Sequence, residues 1–431
     1  MNTNNDILSQ TKNSILKLSN KFNIRKDKIE AFLQPNRVVE INVPIRTKNG
    51  KLTTFKGYRS QHNNNLGPYK GGIRFHQNVS REEVEMLSLL MSLKCAVINL
   101  PYGGAKGGMI VDPKTLSQKE LENLSRGYVK KIYDVIGPEK DIPAPDVNTN
   151  PTIINWMVDE YVKLSSKKNI SENVLYAAFT GKPKEKYGLE GRTEATGWGG
   201  IIVLCELVKK LGLKNKDLTI AVQGFGNVGY HFSLFASQKG FKVVAVSDSK
   251  GGITNKNLST LLSLDIPLVR TCKKKKGFIA GCYCVGGVCD LTRGRPISNE
   301  DLIALPVDIL VPAALENVIN KSNMHRVKTK IIIEMANGPV SYEAYEYLTK
   351  KKVIIVPDIL SNGGGVAGSY LEWKQNLENS KYEKEFVLKE LERMMQKSFE
   401  YVWKISKNQK LNLKEACLFT ALKRIMKFTP N

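Results

Sequence analysis

A short apolar strand, Leu218–Val222, runs into Gln223-Gly224-Phe225-Gly226-Asn227-Val228-Gly229. A helical stretch follows, and a second strand, Phe241–Val246, ends at Ser247-Asp248. This order constrains the fold more than any other feature of the chain. A Gly-x-Gly-x-x-Gly run alone is weak evidence. With a strand before it, a helix after it and an acidic residue 19 positions past the last glycine, it describes a dinucleotide-binding βαβ unit. Its glycines let the backbone approach a pyrophosphate at a helix N-terminus. Asp248 is placed to hydrogen-bond the adenosine ribose, which favours NAD, whereas Lys250 is placed to meet the 2′-phosphate of NADP. Both cofactors stay open, with a slight preference for NAD. Further short apolar strands, Asp308–Val311, Lys330–Met335 and Val353–Val356, alternate with helical segments. Such alternation predicts a parallel, doubly wound sheet with ligands at the C-terminal ends of its strands.

A second stretch, Gly57–Met109, carries three conspicuous lysines, Lys70, Lys94 and Lys106. Lys70 and Lys106 sit in what read as glycine-rich turns, where the backbone can come close to a ligand. Lys94 is the only charge between Met86 and Ala105. Ser80 and Glu83 form a capping-box pattern at the start of that helix. Val84, Leu87, Met91, Cys95 and Ile98 trace one apolar face, and Met86, Leu90, Leu93 and Val97 a second, so the helix is expected to be buried on most sides. A lysine there is costly without a negative partner, and a dicarboxylate substrate would be one. The alternative is a lysine that snorkels to the surface. Lys106 needs a lowered pKa to be catalytic, and Lys70 and Lys94 would supply it if they converge on it.

Pro143-Ala144-Pro145-Asp146 delivers one carboxylate from an extended segment, and Asn150-Pro151 then opens a helix. Asp146 is either catalytic or an ordinary loop residue. The strand ends of the later alternating region carry Ala336-Asn337-Gly338-Pro339 and Ser361-Asn362-Gly363. Asn337 and Asn362 are ligand contacts or turn residues. Ser369 lies in a helical stretch, where serine commonly bonds a carbonyl one turn back.

The chain has 431 residues, long enough for two domains. We expect a domain at 1–180 and a dinucleotide-binding domain at 181–410, with helices of about 411–431 returning to the first. The charged, glycine-rich Gly181–Gly200 reads as the hinge. There is no apolar run of transmembrane length. The N-terminus lacks a secretory core and has no arginine before Arg25, so the cytoplasm is expected. The net charge of +24 would attract phosphate-bearing cofactors and acidic substrates. No recognised nucleic-acid motif accompanies it, so nucleic-acid binding is not expected. Of seven cysteines, Cys95, Cys205 and Cys417 read as small buried residues. Cys272, Cys282, Cys284 and Cys289 cluster in a lysine-rich insertion at about 269–295 and lack the paired spacing of common zinc sites. Free or redox-active thiols are favoured there over a metal centre.

Gly67-Pro68-Tyr69-Lys70-Gly71-Gly72-Ile73-Arg74-Phe75-His76 and Leu100-Pro101-Tyr102-Gly103-Gly104-Ala105-Lys106-Gly107-Gly108 resemble the hexameric glutamate dehydrogenases, and more broadly the amino-acid dehydrogenase superfamily. The resemblance covers most of the chain, the cysteine insertion excepted. It implies an α/β fold with an N-terminal substrate and oligomerisation domain, a Rossmann-type domain, an active-site cleft between them and a homohexamer. It further implies reversible, NAD(P)-dependent oxidative deamination of L-glutamate to 2-oxoglutarate and ammonia. By resemblance Lys106 acts on water and Asp146 moves protons on nitrogen. Lys70 and Ser369 serve the distal carboxylate, Lys94 and Asn362 the α-carboxylate, and Gly71 and Gly72 belong to the substrate site. Thr196 and Asn337 lie by the cofactor. Leucine-, valine- or phenylalanine-type dehydrogenases are the nearest rival, but an apolar side-chain pocket has no use for a lysine at position 70. An inactive relative with a binding or redox-sensing role is the rival from another class.

Overall fold

The computed structural model describes residues 3–167, 169–255, 263–280, 284–285, 288–289 and 294–427. Two compact units emerge, one of Met1–Arg192, Val366–Val387 and Leu418–Asn431, the other of Thr193–Gly365 and Leu388–Cys417. They differ from the expected 1–180 and 181–410. The segment after 180 stays with the first unit because the Gly181 and Lys182 amides both donate to buried Glu372, which belongs to that unit. No helix among the described residues is long and apolar enough to cross a membrane.

The first unit is built on a five-stranded sheet of β1 (Arg37–Arg46), β2 (Leu52–Asn63), β3 (Tyr69–Phe75), β4 (Gly104–Met109) and β5 (Asp141–Pro145). Its order is β1-β2-β4-β3-β5. β1 and β2 form an antiparallel hairpin whose turn uses Gly50 at φ +75°. β3 runs parallel to both β4 and β5. The segments around Lys70 and Lys106, expected as turns, are therefore strands. Their glycines serve close packing. A Cβ on Gly104 would meet Ser92 of the helix Arg81–Val97, and one on Gly107 would meet the Tyr128 hydroxyl of the helix Gln118–Ile132. Positions 104 and 107 point to opposite faces of a strand, so the sheet lies between these helices. Ile41, Val43, Phe75 and Met109 pack against Leu124, Tyr128 and Val129, and against Ile154 and Met157 of the helix Pro151–Leu164. The helix Arg81–Val97 begins as its sequence predicts, with Ser80 accepting from the Glu83 amide. Val84, Met86, Leu93, Cys95 and Val97 are buried.

The second unit carries β6 (Thr219–Gln223), β7 (Lys242–Asp248), β8 (Gly251–Asn255), β9 (Cys284–Val285), β10 (Val288–Cys289), β11 (Gly294–Ile297), β12 (Ile309–Pro312), β13 (Ile331–Ile333) and β14 (Ile354–Val356). β9 and β10 pair with each other; the others form one sheet in the order β11-β8-β7-β6-β12-β13-β14. β7, β6, β12, β13 and β14 are parallel. β8 runs antiparallel to both its neighbours, β7 and β11, so the sheet is mixed and not wholly parallel. The cause is local. The chain reverses directly after Asp248, with Gly251 at φ +112°, and so short a connection can only return antiparallel. β6 is flanked by β7 and β12, which places a switch point at its C-terminal end.

Candidate active site

Strand alternation puts Lys70, Gly72 and Arg74 on one face of β3. Two of these side chains act at separate places. Arg74 reaches the loop after β5, where its Nε donates to Asp146 Oδ1 at 2.9 Å and its second arm meets Glu83 Oε1 at 2.5 Å. The other Asp146 oxygen, Oδ2, accepts from Lys106 Nζ at 2.5 Å. The Asp146 amide donates to Thr149 Oγ1 at 2.7 Å, which fixes the carboxylate's turn. Gly72 is required beside it, since a Cβ there would stand 2.8 Å from both Asp146 Cβ and the Pro145 carbonyl oxygen. Burial lowers the pKa of Lys106, Asp146 opposes this, and Arg74 adds to the lowering. Burial works against the charge on Asp146, but Lys106 and Arg74 outweigh it and hold the carboxyl well below its usual range. The cation that acts on Lys106 is thus Arg74, where the sequence had suggested Lys70 and Lys94. Arg74 escaped the sequence reading although it sits inside the same glycine-rich motif. The signal was its two-residue spacing from Gly72, visible only once the segment is read as a strand.

Lys70 is 1% exposed, and its Nζ donates to the Ile142 carbonyl at 3.1 Å. Burial, reinforced by Arg59 and Arg192, lowers its pKa to about 7. Arg192 Nη2 donates to Ser369 Oγ at 3.4 Å, and Arg192 Nε is buried without a hydrogen-bond partner. Burial lowers the arginine's pKa as well, against the pull of Glu372. The Glu372 carboxylate is occupied by Lys182 Nζ at 2.8 Å and by two amides. Buried Lys70, the half-buried Arg192 with its orphaned Nε and the Ser369 hydroxyl share an environment whose one nearby carboxylate, Glu372, is already paired. Sequence reasoning had Lys70 and Ser369 but not Arg192. Below them the strand is held by a fully buried network in which Arg59 pairs with Asp141 and also donates to the Gly71 carbonyl at 3.1 Å. Lys94 lies in the last turn of its helix and is half-buried.

In the second unit the helix Asn227–Gln238 starts directly after Gly226. Gly224 takes φ +101°, and a Cβ on Gly229 would lie 1.8 Å from the Gly224 carbonyl oxygen, so strand, turn and helix pack as tightly as the motif requires. Around a Cβ on Gly226 there is open space. That bare turn over a 12-residue helix fits a pyrophosphate. Phe225 is buried, and the Asn227 side chain ties the turn to the Thr193 carbonyl at 2.8 Å. Asp248 ends β7 as predicted. Its Oδ1 accepts from the Lys250 amide at 3.0 Å, and its Oδ2 pairs with Lys273 Nζ at 3.2 Å. Lys273 also donates to the Phe225 carbonyl at 3.1 Å. It comes from the helix Ile266–Lys276, where its place in a run of four lysines hid it. Asn362 Nδ2 donates to Asn337 Oδ1 at 3.0 Å. A Cβ on Gly365 would stand 2.7 Å from Thr196 Oγ1. Asn337, Asn362 and Thr196 therefore gather at the C-terminal ends of β13 and β14.

The N-terminal part of the chain, residues 35–163, matches the Glu/Leu/Phe/Val dehydrogenase dimerisation domain, and residues 188–430 match the Glutamate/Leucine/Phenylalanine/Valine dehydrogenase domain. The chain belongs to the Glu/Leu/Phe/Val dehydrogenase family. Within this family it is 44% identical to an NAD-specific glutamate dehydrogenase of Clostridioides difficile, over 97% of this chain and 94% of the relative. It is 42% identical to an NADP-specific glutamate dehydrogenase of Synechocystis, over 93% and 91%. Among solved structures it superposes on the glutamate dehydrogenase of Peptoniphilus asaccharolyticus with a TM-score of 0.84 at 37% identity, covering 98% of each chain. The hetero-hexameric glutamate dehydrogenase of Thermus thermophilus in its leucine-bound form gives 0.88 at 32% identity, covering 98% and 96%.

Cys272 is buried and disulfide-bonded, so it is neither the free thiol nor the metal ligand considered from spacing. Cys282 lies outside the described residues, as do the side chains of Cys284 and Cys289. Among the described residues no group of three or more His, Cys, Asp or Glu is arranged to hold a metal.

Proposed function

We propose that this chain is an NAD(P)-dependent glutamate dehydrogenase that interconverts L-glutamate with 2-oxoglutarate and ammonia. The observation that carries the proposal is the buried Lys70, next to Arg192 and Ser369, in a place with no counter-charge of its own to spare. A distal carboxylate supplies that charge; an apolar side chain leaves it missing, at a cost of several kcal/mol. Relatives at 41–44% identity that carry the same activity in their names support the reading.

In this mechanism Lys70, Ser369 and Arg192 hold the distal carboxylate, while Lys94 and Asn362 take the α-carboxylate. The Gly71-Gly72 backbone leaves room for the substrate chain. Gly224–Gly229 would hold the pyrophosphate, Asp248 the adenosine ribose, and Thr196 and Asn337 the nicotinamide end. When bound, the nicotinamide supplies the hydride acceptor or donor. Lys106 in its neutral form takes a proton from the water that attacks the substrate's Cα and returns it when water leaves. Asp146 carries protons to and from the substrate nitrogen. The two groups need different pKa values for these opposite tasks, and their shared position between cations and buried surface provides them. NAD is the cofactor we favour, because a carboxylate at the end of the second strand, here Asp248, would accept from the adenosine ribose. The cytoplasm is the proposed location, and a homohexamer the proposed assembly, which light scattering would test.

Lys106→Ala and Asp146→Asn variants test the assignment. Each is expected to lose about 10²–10⁴-fold in kcat, with binding of 2-oxoglutarate in calorimetry kept within a few fold. Variants that keep kcat would remove these residues from the chemistry.

A further inference from the structure

The pair Lys106–Asp146 presents a chemical difficulty. A lysine 2.5 Å from a carboxylate is normally locked in its charged form, and a charged lysine cannot accept a proton from water. The geometry of β3 answers this. Arg74 takes the other oxygen of the same carboxylate at 2.9 Å and is itself tethered to Glu83 at 2.5 Å. Glu83 lies in the first turn of the helix Arg81–Val97 and is buried. We propose that Arg74 is a positioning residue that divides the Asp146 carboxylate with Lys106, so that the lysine can release its proton while the carboxylate stays ionised, with Glu83 as the anchor that keeps the arginine in place.

The charges packed around Lys106 are Asp146 from the loop after β5, Arg74 from β3 and Glu83 from the helix. Of these only Arg74 pushes Lys106 towards its neutral form, in the same sense as its burial. Arg74 also lowers the pKa of Asp146. Losing Arg74 therefore raises both pKa values. Turnover needs neutral Lys106, so kcat rises with pH through the lysine's pKa, and the rising limb moves to higher pH when Arg74 is removed. Lysine at position 74 can meet one carboxylate but cannot fork between two, because its ammonium is a single point charge. It should restore part of the effect.

The inference rests on the proposed glutamate chemistry, and the experiment separates the two. The pH profile of kcat for glutamate oxidation is measured for the parent, Arg74→Gln, Arg74→Lys and Glu83→Gln. Arg74→Gln is expected to move the rising limb up by about one pH unit, equal to about a tenfold loss of kcat at a pH on that limb. KM for glutamate should stay within about threefold, since Arg74 is not assigned to a substrate carboxylate. Arg74→Lys should lie between parent and Gln. Loss of the Glu83 charge by itself lowers the lysine's pKa, so an upward limb in Glu83→Gln would support its anchoring role and a downward one would contradict it. Profiles that superpose after scaling by a constant would overturn the proposal and leave Arg74 a structural residue; a rise in KM alone would do the same. Should Arg74→Gln fail to fold, the Arg74→Lys profile decides in the same way. A parent enzyme that ignores glutamate but oxidises another amino acid would overturn the substrate reading, and the same comparison would then be made on that amino acid.

Discussion

Dicarboxylate binding should weaken as pH rises above neutrality, because Lys70 loses its charge there. Burial, Arg59 and Arg192 bring its pKa from the ordinary 10.5 to about 7. That shift corresponds to about 5 kcal/mol by which the protein disfavours the charged form when no carboxylate faces it. A distal carboxylate binds the charged form and restores part of this, about 1–3 pH units for a close opposite charge. The sign follows from linkage. Affinity is fully present below about pH 7 and falls by up to about tenfold per pH unit above it, until the raised pKa of the bound form is reached. The total weakening is thus about 10- to 1,000-fold. Glutarate is a suitable probe, because both its carboxyls are ionised throughout and it has no amine. Its inhibition constant against 2-oxoglutarate would be measured between about pH 6.5 and pH 9, beside that of valerate, which lacks the distal charge. The slope should belong to glutarate alone and vanish in Lys70→Met. A flat glutarate profile, or an unchanged slope in Lys70→Met, would refute the argument that a buried lysine reads the distal carboxylate.

Other consequences follow from the same geometry. Gly72→Ala would push its Cβ against Asp146 and the Pro145 carbonyl at 2.8 Å; displacement of a catalytic group by about 1 Å costs about a hundredfold, so kcat should fall steeply while circular dichroism is unchanged. Lys273→Ala frees Asp248 from its partner at 3.2 Å, and the kcat/KM ratio of NADH over NADPH should rise about fivefold, the equivalent of about 1 kcal/mol for a partly exposed pair. Glu372→Ala strands the fully buried Lys182, and denaturant unfolding should show a loss of about 3–5 kcal/mol.

Much of the fold was legible because its signals are local. Ser80 and Asn150 cap their helices, Gly50 turns the first hairpin, and the run from Leu218 to Asp248 declares a nucleotide unit without tertiary information. The glycine-rich segments were misread for a physical reason. Glycine lowers strand propensity, and its use here is close packing between β3, β4 and their covering helices, which only the folded neighbours reveal. That error also concealed Arg74, whose partners Glu83 and Asp146 come from a helix and a loop far apart in sequence. Arg192 and Lys273 were hidden differently. Each is one cation among 65 Lys and Arg, and its importance comes from burial and from the group it faces. The antiparallel β8 depends on a tight reversal after Asp248 that resembles an ordinary loop in sequence. Asp146, by contrast, was visible because two prolines hold it out from an extended segment.

The most direct test of the central claim is steady-state reductive amination by the purified protein, with ammonia, NADH or NADPH and a panel of 2-oxo acids. The account predicts rapid turnover of 2-oxoglutarate and little with 2-oxo acids that carry branched or aromatic side chains. Turnover confined to the branched or aromatic acids would contradict it, and would mean that Lys70, Arg192 and Ser369 do not meet a carboxylate.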